Sequence, residues 1–236
     1  TLKELDLSSA FYGCTALTSL DFSSFNICPL EKLSLKSAFN GCSALSSLDL
    51  SYLAQSTLKE LDLNSAFNGC SSFTSLDLSS FAVANDSLTR LDMRGAFNGC
   101  KKLVSLDLSG IDFTINSDIF NNTSFSSLSS LKTLDLSHTT WWYGNITYIW
   151  TMNTVETVYL TGIDTTQVNN MADVFNNWSN LREIIGIGDL DTAKLTNLGE
   201  TFKGCSSLED KYFAELAQAL AKGNSVSNLS YAFSGC

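Results

Sequence analysis

The sequence has little proline, little histidine and few basic residues, and it has no long apolar run. Its single proline, Pro29, falls between predicted strands, where no hydrogen-bond ladder needs the missing donor. No window reaches the ~18 consecutive apolar residues that a membrane span requires, so no transmembrane segment is expected. The 14 Lys and Arg residues are outnumbered by 24 Asp and Glu residues, which gives a net charge of −10. This excess disfavours nucleic acid as a partner, because phosphates need a basic surface.

The sequence also lacks the patterns of common catalytic and metal sites. The only histidine, His138, follows Leu134-Asp135-Leu136, and no Gly-x-Ser-x-Gly motif accompanies it. A Ser-His-Asp arrangement would need a pocket with an oxyanion hole. Two cysteines separated by two residues, the local spacing of metal sites, do not occur. We therefore predict that the chain is not an enzyme and has no catalytic residue, no metal site and no cofactor.

A six-residue motif recurs along the chain. The strings SAFYGC, SAFNGC, SAFNGC and GAFNGC begin at residues 9, 37, 65 and 95, at steps of 28, 28 and 30. Each string lies between two leucine segments, in which apolar residues follow the pattern L-x-x-L-x-L. The phenylalanine series continues less regularly, through Phe120, Trp150, Phe175, Phe202 and Phe233. This spacing predicts nine coils of about 28 residues each.

The repeated pattern has a direct physical interpretation. Alternate residues of L-x-L point to one face of a strand, so the leucines face inward and the residue between them faces water. One repeat cannot bury its own apolar edge, but stacked repeats share a core. We predict a single right-handed β-rich solenoid over residues 1–236, with parallel sheets. A common interior column should contain the rings of Phe11, Phe39, Phe67 and Phe97.

Charge alternation supports this register. The outward position of the first leucine segment is Glu4, Lys32, Glu60 and Arg90 in successive coils. Adjacent strands favour opposite charges across from each other, by roughly 0.2–1 kcal/mol per pair. One helix is also expected late in the chain, at Leu208–Lys222. Its apolar stripe, predicted to pack on the solenoid, contains Phe213, Leu216, Ala217 and Leu220.

The motif Ala-Phe-x-Gly-Cys-x-x-Leu-x-x-Leu-x-Leu resembles the BspA-like leucine-rich repeats of bacterial and some protist surface proteins. The later segment, from Val168 to Leu208, is similar to a sister repeat of bacterial surface proteins and mycoplasma lipoproteins. This resemblance implies adhesion or protein binding, at the bacterial cell surface or outside the cell. It transfers no catalytic residue. Since the chain begins and ends within repeats, we expect it to be a fragment or mature portion of a longer protein.

Cysteine and aspartate recur at fixed positions in the repeat. Six cysteines share one turn position, and they are predicted to form a buried ladder of free thiols: Cys14, Cys42, Cys70, Cys100, Cys205 and Cys236. Cys28 lies outside this ladder and is the one thiol expected to be reachable. An outward aspartate recurs in the second leucine segment at 21, 49, 77, 107 and 135. A solvated face is the favoured interpretation of these aspartates, and a surface for a basic partner or a calcium site are the alternatives.

The most irregular aromatic stretch spans residues 141–150. Trp141 and Trp142 are adjacent, so on an extended segment one of them should face solvent. Exposed Trp and Tyr are favoured at protein hot spots and sugar platforms, so the predicted binding residues are Trp141, Trp142, Tyr143 and Tyr148. The competing interpretation is a core that has repacked with bulkier residues. Trp150, in the phenylalanine register, is predicted to lie in the core.

Together these patterns predict a non-catalytic recognition module at the bacterial cell surface or outside the cell. Its expected partner is a protein of a host or neighbouring cell, contacted across a rigid face with exposed aromatic anchors. Two alternatives stay open. One is a carbohydrate-binding surface centred on the 141–150 stretch. The other is a structural stalk that presents another domain.

Overall fold

The computed structural model describes residues 2–25, 28–115, 119–121, 123–125, 127–141, 152–223 and 225–236. It divides into two compact units. The first contains Thr1–Asp107 and Ile115–Ser130, and the second contains Leu108–Thr114 and Leu131–Cys236. The single domain expected over residues 1–236 is therefore still only a prediction.

Nine three-residue strands lie within the described residues, and one α-helix follows them. The strands are β1 (Glu4–Asp6), β2 (Lys32–Ser34), β3 (Glu60–Asp62), β4 (Ser75–Asp77), β5 (Arg90–Asp92), β6 (Ser105–Asp107), β7 (Thr133–Asp135), β8 (Thr157–Tyr159) and β9 (Glu183–Ile185). The helix α1 spans Asp210–Gly223. Short 3-10 helices occupy Ser23–Phe25, Ser51–Leu53, Ser79–Ala84 and Ile187–Asp189.

In the first unit, β1, β2, β3 and β5 form a parallel sheet in the predicted register. Glu4 pairs with Lys32, Lys32 with Glu60, and Glu60 with Arg90. Residues 28 or 30 positions apart are therefore neighbours, as the repeat spacing requires. The second leucine segments also pair in parallel, since β4 lies beside β6. The central leucines of β2, β3, β4, β5 and β6 are buried, because strand geometry turns them away from water.

The predicted phenylalanine column forms the centre of the first unit. The rings of Phe11 and Phe39 stack with centroids 5.4 Å apart, and those of Phe39 and Phe67 are 6.0 Å apart. Phe97 continues the stack at 6.4 Å from Phe67. These near-parallel rings confirm that one coil lies on the next.

The next member of the column differs from the prediction. Phe125, not Phe120, stacks on Phe97, with a centroid separation of 5.6 Å. Backbone hydrogen bonds explain why Phe125 takes this place. The Phe97 N–H donates to the carbonyl of Ser124, just as the Phe67 N–H donates to the carbonyl of Ala96. Ser124 therefore takes the alanine position of the motif, and Phe120 packs at a tilt against Phe125. The predicted core position of Trp150 lies outside the described residues.

The turn after each phenylalanine needs an unusual backbone. Gly69 has a φ of +74°, a region that residues with a Cβ adopt only with strain. A Cβ on Gly69 would lie 3.5 Å from the Cα of Gly41 in the preceding coil. Glycine therefore recurs here for two reasons, its backbone conformation and the close approach of neighbouring coils.

The second unit repeats this construction with different residues. Its strands β7, β8 and β9 are parallel, and Val158 pairs with Leu134 and Ile184. Single bridges continue the other side of the coil, from Asn170 to Asn197 and from Asn197 to Asn228. The rings of Phe175, Phe202 and Phe233 stack in sequence, with centroids 5.4 and 5.7 Å apart.

Helix α1 confirms the predicted late helix, with its start two residues later and its end one residue later. Its buried stripe is Tyr212, Leu216 and Ala219, at the helical spacing of four and three residues. The predicted stripe was therefore displaced around the helix. Only Leu216 is fully buried among its four members, and Ala217 is exposed. The sequence pattern missed Tyr212 because tyrosine is amphipathic.

The structure confirms a solenoid with parallel sheets and one late helix. It has about six turns, and the predicted count of nine coils is not confirmed. Within the described residues, no helix is both long enough and apolar enough to cross a membrane.

Candidate interaction surface

Of the four predicted binding residues, only Trp141 lies within the part of the chain that the structure describes. Trp141 is buried, and its backbone N–H donates to the carbonyl of Asp164 at 2.9 Å. Trp142, Tyr143 and Tyr148 lie outside the described residues, so their role in binding stays a prediction. With its indole packed in the core, Trp141 offers little surface to a partner.

His138 lies on an exposed turn. Its φ of 57° is in the left-handed region, and its imidazole packs against Gly162 of the following coil. The backbone N–H of His138 donates to the carbonyl of Thr161 at 2.9 Å. The equivalent residues of neighbouring coils are glycines with positive φ, Gly110 and Gly162. The histidine thus occupies a turn position of the repeat.

A charged face covers the outward side of β1, β2, β3 and β5. We define it by two rows of side chains: Lys3, Glu31 and Lys59, and Glu4, Lys32, Glu60 and Arg90. Opposite charges meet along both rows, since Glu31 pairs with Lys3 and with Lys59, the latter at 2.6 Å. The Lys32 ammonium lies 3.3 Å from Glu60 and 3.8 Å from Glu4. Hydrogen bonds from Lys3 and Lys59 lower the pKa of the Glu31 carboxyl from 4.5 to about 2.

A shallow groove of about 190 Å³ runs along the charged face. Its lining includes all four members of the second row and the outward aspartates Asp6 and Asp62. The inward residue of each strand stays leucine from coil to coil, whereas the outward residues change in sign and size. The face therefore has the same inward leucine in every coil, whereas its outward charges differ from coil to coil.

The aspartate that recurs directly after an inward leucine or isoleucine has a structural role. Its Oδ1 accepts the backbone N–H of the residue two positions later and closes the turn. The Asp6 carboxylate accepts from Ser8 at 2.8 Å, and the Asp49 carboxylate accepts from Ser51 at 2.9 Å. The same bond is made by Asp21, Asp62, Asp77, Asp92, Asp112, Asp135, Asp164 and Asp191. Asparagine replaces aspartate at 170, 197 and 228 and makes it too.

The sequence predicted a solvated face of aspartates, but this hydrogen bond shows that the aspartates also hold the turns. The carboxylates are exposed in part, but each uses one oxygen to hold the backbone. For Asp6 and Asp21, hydrogen bonds from Ser8 and Ser23 lower the carboxyl pKa below its usual range. Among the described residues, no group of three or more His, Cys, Asp or Glu could hold a metal ion.

A second outward face, on β7, β8 and β9, breaks the aspartate pattern. The strand-ending position is aspartate at 21, 49, 77, 107 and 135, but it is tyrosine at 159 and isoleucine at 185. Asp135 pairs with Tyr159, and Tyr159 pairs with Ile185, so the three side chains are neighbours. Tyr159 is 36% exposed. The sequence prediction missed this face, although the loss of a repeated aspartate was visible there.

The cysteines form the predicted ladder, with exposed members at both of its ends. Cys42, Cys70, Cys100 and Cys205 are buried free thiols, as predicted. Cys14 and Cys236 are exposed, and Cys28 is half-buried. The expectation that only Cys28 is reachable was therefore wrong, since Cys14 and Cys236 are exposed.

Comparison with protein families supports the resemblance proposed from the repeats. Residues 7–88 match six copies of the BspA type leucine rich repeat region, and residues 144–236 match a Mycoplasma protein family of unknown function. Families with these repeats are generally non-catalytic binding modules and are typical of bacterial surface proteins. No curated protein matches the chain.

Several solved leucine-rich-repeat structures are similar to this chain. An internalin from Listeria monocytogenes is 16% identical, with a TM-score of 0.34; the match covers 85% of this chain and 62% of the internalin. A leucine-rich repeat protein from Bacteroides ovatus is 19% identical, with a TM-score of 0.24, and 88% and 69% of the two chains are covered. TLR13, solved in a complex with ssRNA, is 18% identical, with a TM-score of 0.33 and coverage of 82% and 37%. The chain thus spans less than two thirds of the internalin.

Proposed function

We propose that this chain is a non-catalytic recognition module that works at the bacterial cell surface or outside the cell, because residues 7–88 match the BspA type leucine rich repeat region. Its partner is a protein of a host or neighbouring cell. The charged face on β1, β2, β3 and β5 is the binding surface, and adhesion is the biological outcome.

The observation that carries this proposal concerns each strand of the charged face, in which an inward leucine faces the core and the outward side chains are exposed. Leu33 and Leu61 are buried and fix the position of their strands. The outward side chains of Lys32 and Glu60 are exposed and differ between coils. A rigid sheet that presents a fixed charge pattern favours a partner with the complementary pattern, since complementary charges speed association and exclude wrong partners.

The overall charge narrows the class of partner. A net charge of −10 disfavours nucleic acid as the partner. The two rows of the charged face contain both signs, which suits a protein surface of mixed charge. The groove of about 190 Å³ is too small for burial of a large ligand. Contact across the face is therefore the expected mode.

Binding to cells tests the proposal. The fluorescently labelled chain is incubated with mammalian epithelial cells and with bacterial cells, each untreated, treated with trypsin or treated with glycosidases. Saturable binding that trypsin abolishes and glycosidases leave intact supports a protein partner. Binding that only glycosidases abolish supports the carbohydrate alternative instead. Absence of saturable binding to every cell type contradicts the proposed function.

A charge-reversed variant then tests the surface. It carries Glu4→Lys, Lys32→Glu, Glu60→Lys and Arg90→Glu, which keeps every cross-strand pair opposite in sign and the net charge unchanged. We expect affinity for cells to fall by roughly tenfold or more, because the pattern presented to the partner is inverted. The matched control, Glu209→Lys with Lys211→Glu, swaps an exposed ion pair of 2.8 Å near helix α1. Equal binding by the wild type and the charge-reversed variant would exclude the charged face as the site.

A further inference from the structure

The face on β7, β8 and β9 carries an exposed aromatic ring where the repeat otherwise places a carboxylate. The strand-ending position faces water, so packing in the core does not require tyrosine at 159 or isoleucine at 185. An aromatic and an aliphatic side chain placed together on a solvated sheet cost solubility without adding to the core. Their exposure makes them available for a contact with another molecule.

Two carboxylates lie on the strands that flank β8. Asp135 is directly paired with Tyr159 on the neighbouring strand, where paired side chains are about 5 Å apart. Its Oδ1 accepts the N–H of Ser137 at 2.8 Å, so the turn holds the carboxylate in place. On the other side, Glu183 accepts a hydrogen bond from the Thr157 hydroxyl, with 3.2 Å between Oγ1 and Oε2. This bond draws the Glu183 carboxylate over β8, the strand that carries the ring.

The basic groups near this face leave the ring available. Lys132 is bound to Glu156 by an ion pair of 2.7 Å. Arg182 is exposed at the start of β9, beyond Glu183. Among the described residues, the lysines over aromatic rings are Lys203 over Tyr231 and Lys211 over Tyr212. Neither pair involves Tyr159.

We propose that Tyr159, Ile185, Asp135 and Glu183 form a docking site for an arginine side chain of a protein partner. A guanidinium group stacks on an aromatic ring and pairs with carboxylates in its plane. Ile185 contacts the aliphatic stem of that arginine. The site gives the proposed recognition function an anchor in the second unit, and in that sense it rests on the proposed function.

Charge decides between arginine and a neutral sugar as the occupant. A tyrosine platform suits both, because each can stack on a ring. Asp135 lies opposite Tyr159 on one neighbouring strand, and Glu183 lies on the other strand, opposite Thr157. A cation over the ring gains from both charges, whereas a neutral sugar does not. The surrounding hydroxyls, such as Thr157, are already engaged with a carboxylate.

The test uses a short peptide probe rather than the unknown partner. Isotope-labelled protein is titrated with acetyl-Ser-Arg-Ser-Arg-Ser-amide while the backbone amide resonances are followed by NMR. A second peptide replaces arginine with citrulline, which keeps the shape and loses the charge. We expect shifts at 133–135, 157–159 and 183–185, and affinity for the citrulline peptide lower by roughly fivefold.

Matched variants locate the binding. Tyr159→Leu keeps an apolar side chain and removes the ring, and Asp135→Asn removes the charge while keeping the oxygen that closes the turn. Each variant should bind the arginine peptide with an affinity roughly threefold to fivefold lower than that of the wild type. The controls Tyr12→Leu, at another exposed tyrosine, and Asp49→Asn, at the same repeat position, should leave the affinity unchanged.

Three results would overturn the proposal. They are equal affinity for the citrulline peptide, shifts confined to other strands, and wild-type affinity in the Tyr159→Leu variant. Shifts at the same amides with methyl glycosides, but not with the arginine peptide, would assign the site to sugar instead. The cell-binding assay keeps the two proposals apart. Cell binding without peptide binding refutes the arginine site alone, and peptide binding without cell binding refutes the recognition function alone.

Discussion

The thiol of Cys70 donates a hydrogen bond to the backbone carbonyl of Phe39, with 3.1 Å between sulfur and oxygen. The two residues belong to consecutive coils, so the bond ties one turn motif to the next. Cys100 makes the same contact to Phe67, and Cys205 makes it to Phe175. The cysteine of the motif is therefore a small apolar side chain that also satisfies a buried carbonyl.

Removal of this thiol should destabilise the first unit. In Cys70→Ala, the Phe39 carbonyl loses a partner and a small cavity remains, so we expect the free energy of unfolding to fall by about 1–3 kcal/mol. Urea unfolding followed by far-UV circular dichroism measures the change. Cys28→Ala is the control, since Cys28 is half-buried and outside the ladder. Similar losses in both variants would argue against a special role for the ladder.

Thiol reactivity should separate the cysteines into two groups. Burial raises the pKa of Cys100 and of Cys205 to about 12, so at pH 8 these buried thiols are protonated and unreactive. In native protein, Ellman's reagent should modify Cys14, Cys28 and Cys236 rapidly. The four buried cysteines should react only after denaturation, and mass spectrometry of the labelled peptides identifies which ones have reacted. Fast native labelling of Cys100 would show that the ladder opens.

Gly69→Ala should destabilise the stacked turns. The new Cβ would force a residue with a side chain to keep a φ of +74° and would bring it to 3.5 Å from Gly41. A loss of about 1–2 kcal/mol in the free energy of unfolding is expected. Gly188→Ala provides the comparison, because its Cβ would meet only Glu215, at 3.8 Å. The prediction fails if the two variants unfold at the same urea concentration.

Acid should weaken the charged face through Glu31. Its pKa falls from 4.5 to about 2 on folding, so its ion pairs contribute stability above pH 4.5 that is lost as the pH falls towards 2. The melting temperature of the wild type should therefore decrease over this window. Glu31→Gln should lower the melting temperature at neutral pH and flatten the decrease. Glu215→Gln, on helix α1 and away from the charged face, is the control for the loss of one negative charge.

The fold was largely predictable because stacking leaves a periodic record in the sequence. Residues such as Phe11 and Phe39 contact each other directly, so their spacing of 28 residues in the sequence equals the length of one coil. The prediction failed at Phe120, which lies only 23 residues after Phe97, because the column keeps the regular step of 28 residues. The column then follows the backbone hydrogen bond to Ser124 and takes Phe125. The step itself therefore indicated Phe125, and the loss of the Ala-Phe-x-Gly-Cys motif around that ring concealed it.

The candidate surfaces were less predictable, because outward residues are not constrained by packing. The charge alternation from Glu4 to Lys32 correctly predicted the ion pairs of the charged face. Attention to the densest aromatic stretch favoured Trp141, which is buried. Tyr159 was overlooked because a single tyrosine is unremarkable in composition. It stands out only when aligned with the aspartates of other coils.

Most turns of the repeat are held by one side-chain oxygen, and either a carboxylate or an amide supplies it. Aspartate supplies it at Asp6 and Asp62, and asparagine supplies it at Asn197 and Asn228. An exchange between the two residues therefore adds or removes one negative charge per coil while the backbone keeps its course. Such a protein can diversify its electrostatic surface by single substitutions, coil by coil, at little risk to folding.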